Sequence, residues 1–179
     1  LKMFHFSDQQ ISIATKDQLD DILQLVNSAY RGESSRAGWT TEADLIAGNV
    51  RIDESSLLEV YDMEGSVILT YHEQNELIGT VNLQNKKDHL YLGMFSVSPK
   101  YQNAGIGKKL LKAAEEYALH LKLPAIHMSV ISVRHELISW YKRNGYIDTG
   151  ERIPFQEDGM SGKHLRVLEF VVLKKTLRA

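Results

Sequence analysis

The chain reads as an α/β domain of the α+β type, with a mixed, mostly antiparallel sheet flanked by helices. Three observations predict this. Short helical segments come first, three strands follow without a helix between them, and a helix–strand–helix–strand series closes the chain. At 179 residues, with 43% hydrophobic and 25% charged side chains, the sequence fits one soluble globular domain spanning 1–179. No internal repeat, low-complexity tract or proline-rich linker divides it.

Each element has its own signal. Ile11-Ser12-Ile13-Ala14 alternates as a short strand does. Asp17 reads as the N-cap of a helix through Ile22, Leu25, Val26 and Tyr30 that ends near Gly32. Thr40 or Thr41 caps a second short helix carrying Leu45 and Ile46. Asp53 caps a third, through Leu57, Leu58 and Tyr61, ended at Gly65. Strands over 66–71, 77–83 and 89–97 are separated by Glu73-Gln74-Asn75 and by the polar stretch 84–88, which reads as an antiparallel meander. A long helix over 104–121 closes at Leu123-Pro124. Then come a strand over 125–131, a helix over 134–144 stopped by Gly145 and a short strand over 146–149. A polar, glycine-bearing loop over 151–164 leads to the last strand, 165–174.

Composition removes several function classes. A net charge of -2, from 21 basic and 23 acidic side chains, gives no electrostatic case for nucleic acid. With no cysteine, disulfides and thiolate chemistry are excluded. The seven histidines lack H-E-x-x-H or any other metal-ligand spacing, so no metal is expected. No apolar run reaches the roughly 18–20 residues that span a bilayer, so no membrane association is expected. The start Leu1-Lys2-Met3-Phe4 carries neither a signal-peptide core nor a cleavage site, and a cytoplasmic location is the expectation. Gly159-Met160-Ser161-Gly162 is not a G-x-S-x-G nucleophile elbow, because Lys163 stands at the last position.

The stretch that carries chemistry is Gln102-Asn103-Ala104-Gly105-Ile106-Gly107, between an apolar strand and an amphipathic helix. A glycine loop running into a helix presents unpaired N–H groups and the positive end of the helix dipole, which together favour a phosphate. Spacing separates three such loops. A Walker A loop would need glycine where Gln102 stands and Ser or Thr where Lys109 stands. A dinucleotide fingerprint starting at Gly105 would need glycine at Leu110. The pattern Q/R-x-x-G-x-G/A is matched in full by Gln102, Gly105 and Gly107.

That match, the preceding Val97-Ser98-Pro99 and Tyr101, and the later run Trp140-Tyr141-Lys142-Arg143-Asn144-Gly145-Tyr146 after Leu137 give the chain its family resemblance. Over about residues 10–175 it resembles the GNAT-type N-acetyltransferase superfamily. The resemblance implies a splayed sheet, acetyl-CoA as co-substrate, and direct transfer of acetyl to a primary amine of a small molecule or peptide. It implies that the backbone of Phe95, Ser96 and Val97 pairs with the pantetheine arm. The N–H groups of Gln102, Asn103, Ala104, Gly105, Ile106, Gly107 and Lys108 would hold the pyrophosphate, with the Lys108 side chain adding a charge. Tyr141 would be the general acid that protonates the leaving thiolate; a phenol near pKa 10 is protonated at neutral pH. The plain alternative is a helix tyrosine packing beside Leu137 and Trp140.

Two departures from the family stand out. Many relatives place a glutamate on the strand before the loop, whereas Tyr91-Leu92-Gly93-Met94-Phe95-Ser96 holds no acid. Glu33 is taken as the substitute base, with Glu42 or a water chain as alternatives. Seven residues before the tyrosine, where relatives often carry asparagine, stands Arg134, which meets a CoA phosphate or lies on the surface at a helix start. Acceptor choice is expected to fall to Arg31 and Trp39 in the charged segment after the first helix, and to Phe155 in the loop that faces the acceptor side in the family. The acceptor stays open among amino acids, polyamines, aminoglycosides, amine drugs and protein amines. The sequence leaves a homodimer open. Two rival readings remain, an acyl-CoA-binding sensor of the same fold without catalysis and a partner-binding domain without CoA.

Overall fold

The computed structural model of the protein describes residues 4–31, 46–47, 51–102, 104–155, 163–165 and 167–178. Strand β1 (Ile11–Ile13) leads into a 3-10 turn, Lys16–Gln18, where the Thr15 N–H donates to Gln18 Oε1 at 2.9 Å. Asp17 lies inside this turn and accepts from the Thr15 hydroxyl, so helix α1 (Leu19–Tyr30) begins one residue later than an Asp17 cap requires. Strand β2 (Ile46–Ala47) replaces the helix expected around Ile46; it pairs antiparallel with β8 (Lys163–His164), inside the stretch expected to be loop. Helix α2 (Glu54–Asp62) is capped as expected, Asp53 accepting from the Ser56 N–H at 2.8 Å.

The meander is β3 (Ser66–Glu73), β4 (Glu76–Asn85) and β5 (Leu90–Val97). Helix α3 (Ile106–His120), strand β6 (Ala125–Ile131) and helix α4 (His135–Arg143) follow. Strand β7 (Ile147–Phe155) runs through residues 151–155, also expected to be loop, and β9 (Leu168–Thr176) starts later than expected. One seven-stranded sheet results, in the order β1-β3-β4-β5-β6-β9-β7, antiparallel except where β5 meets β6.

Both faces of the central strands are covered, and adjacent residues divide between them as the pleat requires. Ile68 and Met94 join Ile22, Val26, Ile52 and Leu57 under α1 and α2. Leu69 and Phe95 join Leu110, Ala114 and Leu137 under α3 and α4. Gly79 of β4 lets α3 lie close, since a Cβ there would come 3.0 Å from Leu110 and 3.1 Å from Ile106. Among the described residues no helix is long and apolar enough to cross a membrane, and no group of three His, Asp or Glu is placed to hold a metal ion.

Two features of β5 create the site. Thr80 pairs with Ser96 and Asn82 with Gly93, so Met94 and Phe95 together oppose Val81 in a bulge, with Met94 at φ 52°. A bulge bends its strand. On the other edge, β5 pairs with β6 only at Leu90–Ile126 and Tyr91–His127, where His89 stacks on His127 at 3.9 Å. Beyond that clasp the two parallel strands separate.

Candidate active site

The gap between β5 and β6 is a cavity of about 90 Å3. Residues 91–95 of β5 form one wall and 128–131 of β6 the other, with Phe170 of β9 beside them. Tyr30, Arg51, Arg134, Leu137 and Tyr141 complete the lining. Tyr141 sits on the buried side of α4, 3% exposed, its ring 6.2 Å from that of Phe95 and 5.2 Å from that of Trp140. Burial, and secondarily Tyr30, pushes its hydroxyl well above the usual tyrosine range, with Arg134 pulling the other way. Tyr141 is therefore protonated at every pH near neutrality.

Tyr30 ends α1 and donates its hydroxyl proton to the Phe95 carbonyl, holding the bulged strand. Arg51 and Arg134 both place a guanidinium over its ring, at 5.5 and 5.9 Å from the centroid. Arg51 is brought there by Asn27, one turn before Tyr30 on α1. Asn27 Oδ1 accepts from the Arg51 N–H at 2.5 Å and the Ile52 N–H at 3.0 Å, and its Nδ2 donates to the Ile52 carbonyl at 3.1 Å. Arg134 is the residue before α4, held by its N–H to the Ile131 carbonyl at 3.0 Å. It is thus half-buried and part of the wall of this cavity. Tyr30, Arg51 and Asn27 carry no local sequence signal for such a role; they meet only through the fold.

The glycine loop stands at the start of α3, between the end of β5 and that helix. Gly105 is the residue before α3, at φ 79°, with open space where a side chain would begin. Among the described residues no side chain caps this helix end. The N–H groups of Ile106, Gly107 and Lys108 thus lack helical acceptors, as in any first turn. Ala104 donates to the Tyr101 carbonyl at 3.1 Å, and Gln102 Nε2 donates to the Val97 carbonyl at 2.9 Å, tying the loop to the end of β5. A Cβ on Gly107 would come 3.1 Å from Phe95 and 3.3 Å from Trp140, so glycine permits α3, β5 and α4 to converge. Beside this end a groove of about 570 Å3 is lined by Gly105, Lys108, Lys112, Asn144 and Tyr146 among others. The buried Tyr146 hydroxyl has no hydrogen-bond partner among the described residues. An uncapped helix end with lysines around it fits a pyrophosphate.

Of the other expected residues, Phe95, Ser96 and Val97 are buried on β5. Arg31 is 1% exposed, packed inside the protein at the end of α1 rather than lying in an open segment. Phe155 ends β7 and stacks on Phe170 at 4.4 Å, backing the cavity wall from outside. Glu33, Trp39, Glu42 and Asn103 lie outside the described residues.

Residues 19–146 match the model of the acetyltransferase (GNAT) family. The chain belongs to that family. The enzyme class is N-acetyltransferase. The S-alkylcysteine N-acetyltransferase of Bacillus subtilis is 26% identical over 78% of this chain and 79% of its own length. The S-(2-succino)cysteine N-acetyltransferase of the same organism is 28% identical over 78% of this chain and 85% of its own. The fold is shared with the ribosomal-protein-S18-alanine N-acetyltransferase of Escherichia coli, at TM-score 0.69 and 12% identity over 94% of each chain. It is also shared with a GNAT family acetyltransferase of Elizabethkingia anophelis solved with acetyl-CoA bound, at TM-score 0.57 and 18% identity over 70% of this chain and 84% of that one.

Proposed function

We propose that the protein transfers acetyl from acetyl-CoA to the primary amine of a small molecule, with Tyr141 as general acid. The observation that carries this reading is the cleft between β5 and β6, which a buried, protonated tyrosine lines and whose bulged wall leads into an uncapped helix end. Acetyl-CoA, when bound, supplies an activated acyl carbon and a thiol leaving group. The N–H groups of Ile106, Gly107 and Lys108 and the neighbouring lysines hold its phosphates, and the open edge of 95–97 takes the pantetheine arm. As the amine nitrogen bonds to the acyl carbon, the carbon–sulfur bond breaks and the Tyr141 hydroxyl gives its proton to sulfur. The proton lost by the amine passes to solvent and restores the phenol. Relatives named for S-substituted cysteines and, over 37% of this chain, for spermine and spermidine support a small-molecule acceptor.

Two measurements test the reading. Acetyl-CoA should raise the melting temperature, by an increment that grows with the logarithm of ligand concentration above Kd. Thiol release should rise above hydrolysis with some member of an amine panel. Stabilisation without amine-dependent release would leave a sensor in place of an enzyme, and no stabilisation at millimolar acetyl-CoA would remove both.

A further inference from the structure

We propose that Tyr30 is a positioning residue of the transfer step. Its hydroxyl takes up the Phe95 carbonyl, so the cleft does not offer that oxygen to the acceptor's ammonium and the amine is held in its neutral, attacking form. This rests on the acetyltransferase reading and assigns a further residue to it.

Beyond Tyr91 and His127, β5 and β6 no longer pair. Buried backbone carbonyls freed in this way must find other donors. Three carbonyls of the bulged stretch are met by side chains. That of Met94 accepts from the Ser96 hydroxyl at 3.1 Å, that of Val97 from Gln102 Nε2 at 2.9 Å, and that of Phe95 from the Tyr30 hydroxyl. Of these donors Tyr30 is the one that lines the cleft, and Phe95 lines it too. Tyr30 also stands close to the proton donor. Burial raises the Tyr141 hydroxyl above the ordinary tyrosine range, and Tyr30 adds to that rise. The Phe95 ring lies 6.2 Å from that of Tyr141. The carbonyl, the hydroxyl that holds it and the acid therefore enclose the same space.

A primary amine is mostly ammonium at neutral pH, and only the neutral form attacks. At attack its nitrogen stands about 3–3.5 Å from the acyl carbon, and only this nitrogen has to enter the enclosed space. Hydrogen bonds to an ammonium favour the charged form, and more strongly in a low-dielectric cleft than in water. A carbonyl that already accepts from a phenol has less to give a second donor. The ionisable side chains on the described walls are Tyr30 at the end of α1, Arg51 before α2, Tyr91 on β5, and Arg134 and Tyr141 at α4; none is a carboxylate. The two guanidiniums oppose an ammonium by charge. Tyr30 opposes it by occupying an oxygen that would hold it. With no carboxylate base on the described walls, disfavouring the ammonium is what supplies the nucleophile, and the ammonium's proton goes to solvent.

The experiment compares the parent with Tyr30→Phe, which keeps the ring and removes only the hydroxyl. Thiol release is followed against pH at saturating acetyl-CoA and a saturating amine chosen from the panel. The acidic limb of kcat reports the amine in the ternary complex. In Tyr30→Phe it should lie about half to one pH unit higher, so that kcat falls about 3–10-fold at neutral pH. The deficit should close as pH rises past the limb, a range in which Tyr141 stays protonated. Acetyl-CoA affinity should be unchanged. Two readouts do not depend on the folding of Tyr30→Phe. The parent's limb should lie below the amine's own pKa in water, and Tyr30→para-aminophenylalanine, which keeps a weaker donor in the same place, should move it upward.

A loss of kcat by the same factor at every pH marks a structural role and overturns the proposal. So does a limb that neither variant moves, a parent limb at or above the amine's solution value, or a loss confined to acetyl-CoA affinity. Each of these leaves the acetyltransferase reading intact. Acetyl-CoA binding by the parent with no amine turned over overturns that reading, and the proposal with it.

Discussion

Asn27→Ala should loosen the segment that carries Arg51 and weaken acceptor binding without touching the reacting atoms. The side chain makes three hydrogen bonds to the backbone of Arg51 and Ile52, at 2.5, 3.0 and 3.1 Å. At a net 0.5–1.5 kcal/mol each, alanine costs about 2–4 kcal/mol. Asn27 is half-buried, so water replaces part of what is lost and the lower half of that range is expected. A domain of this size loses about 2–4 °C per kcal/mol, which places the fall in melting temperature at about 4–12 °C. Asn27→Asp keeps the acceptor oxygen for both N–H groups but turns a carboxylate oxygen toward the Ile52 carbonyl, so it should cost about 1–3 kcal/mol. The functional readout is the split of kinetic constants at saturating acetyl-CoA. With Arg51 no longer held against Tyr30, KM for the acceptor should rise several-fold while kcat changes little. A melting point within 1 °C of the parent, or a loss confined to kcat, would refute the account of Asn27 as the residue that positions Arg51.

Three other outcomes follow from the geometry. Tyr141→Phe should lower kcat by about 10²–10⁴ if the hydroxyl protonates sulfur, with the fold intact because the ring stays; an unchanged kcat removes the acid role. Because burial raises this hydroxyl well above its ordinary range, the parent's kcat should show no basic limb from Tyr141 below about pH 10. Gly105→Ala meets open space but must adopt φ 79°, at about 1–2 kcal/mol. The melting temperature should drop by about 2–8 °C, and Asn, which tolerates that conformation, should lose less; equal stability of Ala and Gly contradicts the assignment. Burial, then repulsion from His89 and Lys174, lowers the His127 imidazole below the ordinary 6.5. The unfolded chain thus binds this proton more readily, so the contribution is full above pH 6.5 and is lost as pH falls through that value toward the folded one. Urea unfolding between pH 7.5 and 5 should show this slope, and His127→Gln should flatten it; a slope that survives assigns it elsewhere.

Much of the fold was legible because most elements announce themselves locally. Strand β6 lies at 125–131 as its apolar run indicates, and Asp53 caps α2 through the bond its position implies. The sequence starts the first helix one residue early because Asp17 resembles a cap, whereas in the fold it binds the Thr15 hydroxyl inside a 3-10 turn. Residues 151–155 resembled loop because β7 is an edge strand, exposed along nearly all its length, with Pro154 and a left-handed Gly150. No apolar alternation marks such a strand. The site divides in the same way. Gln102, Gly105 and Gly107 serve one helix end and sit together in the sequence. Tyr30, Arg51 and Arg134 come from three separated segments, and of these only Arg134 stands out in the sequence, as a departure from a pattern.

Arg134 also shows why that departure carries information. The residue before a helix is preferably Ser, Thr, Asp or Asn, because a short oxygen can accept from the open N–H groups. Arg134 caps nothing with its side chain and sets a cation at the positive end of α4. Each of these choices costs about 0.5–1 kcal/mol relative to a conventional cap. The contact with the Tyr30 ring returns about the same amount as one of them. Local helix energetics therefore give no reason for arginine here, and conflicts of this kind concentrate where a site needs a particular charge. Arg134, Arg51 and the dipole of α4 all raise the potential of one small cavity.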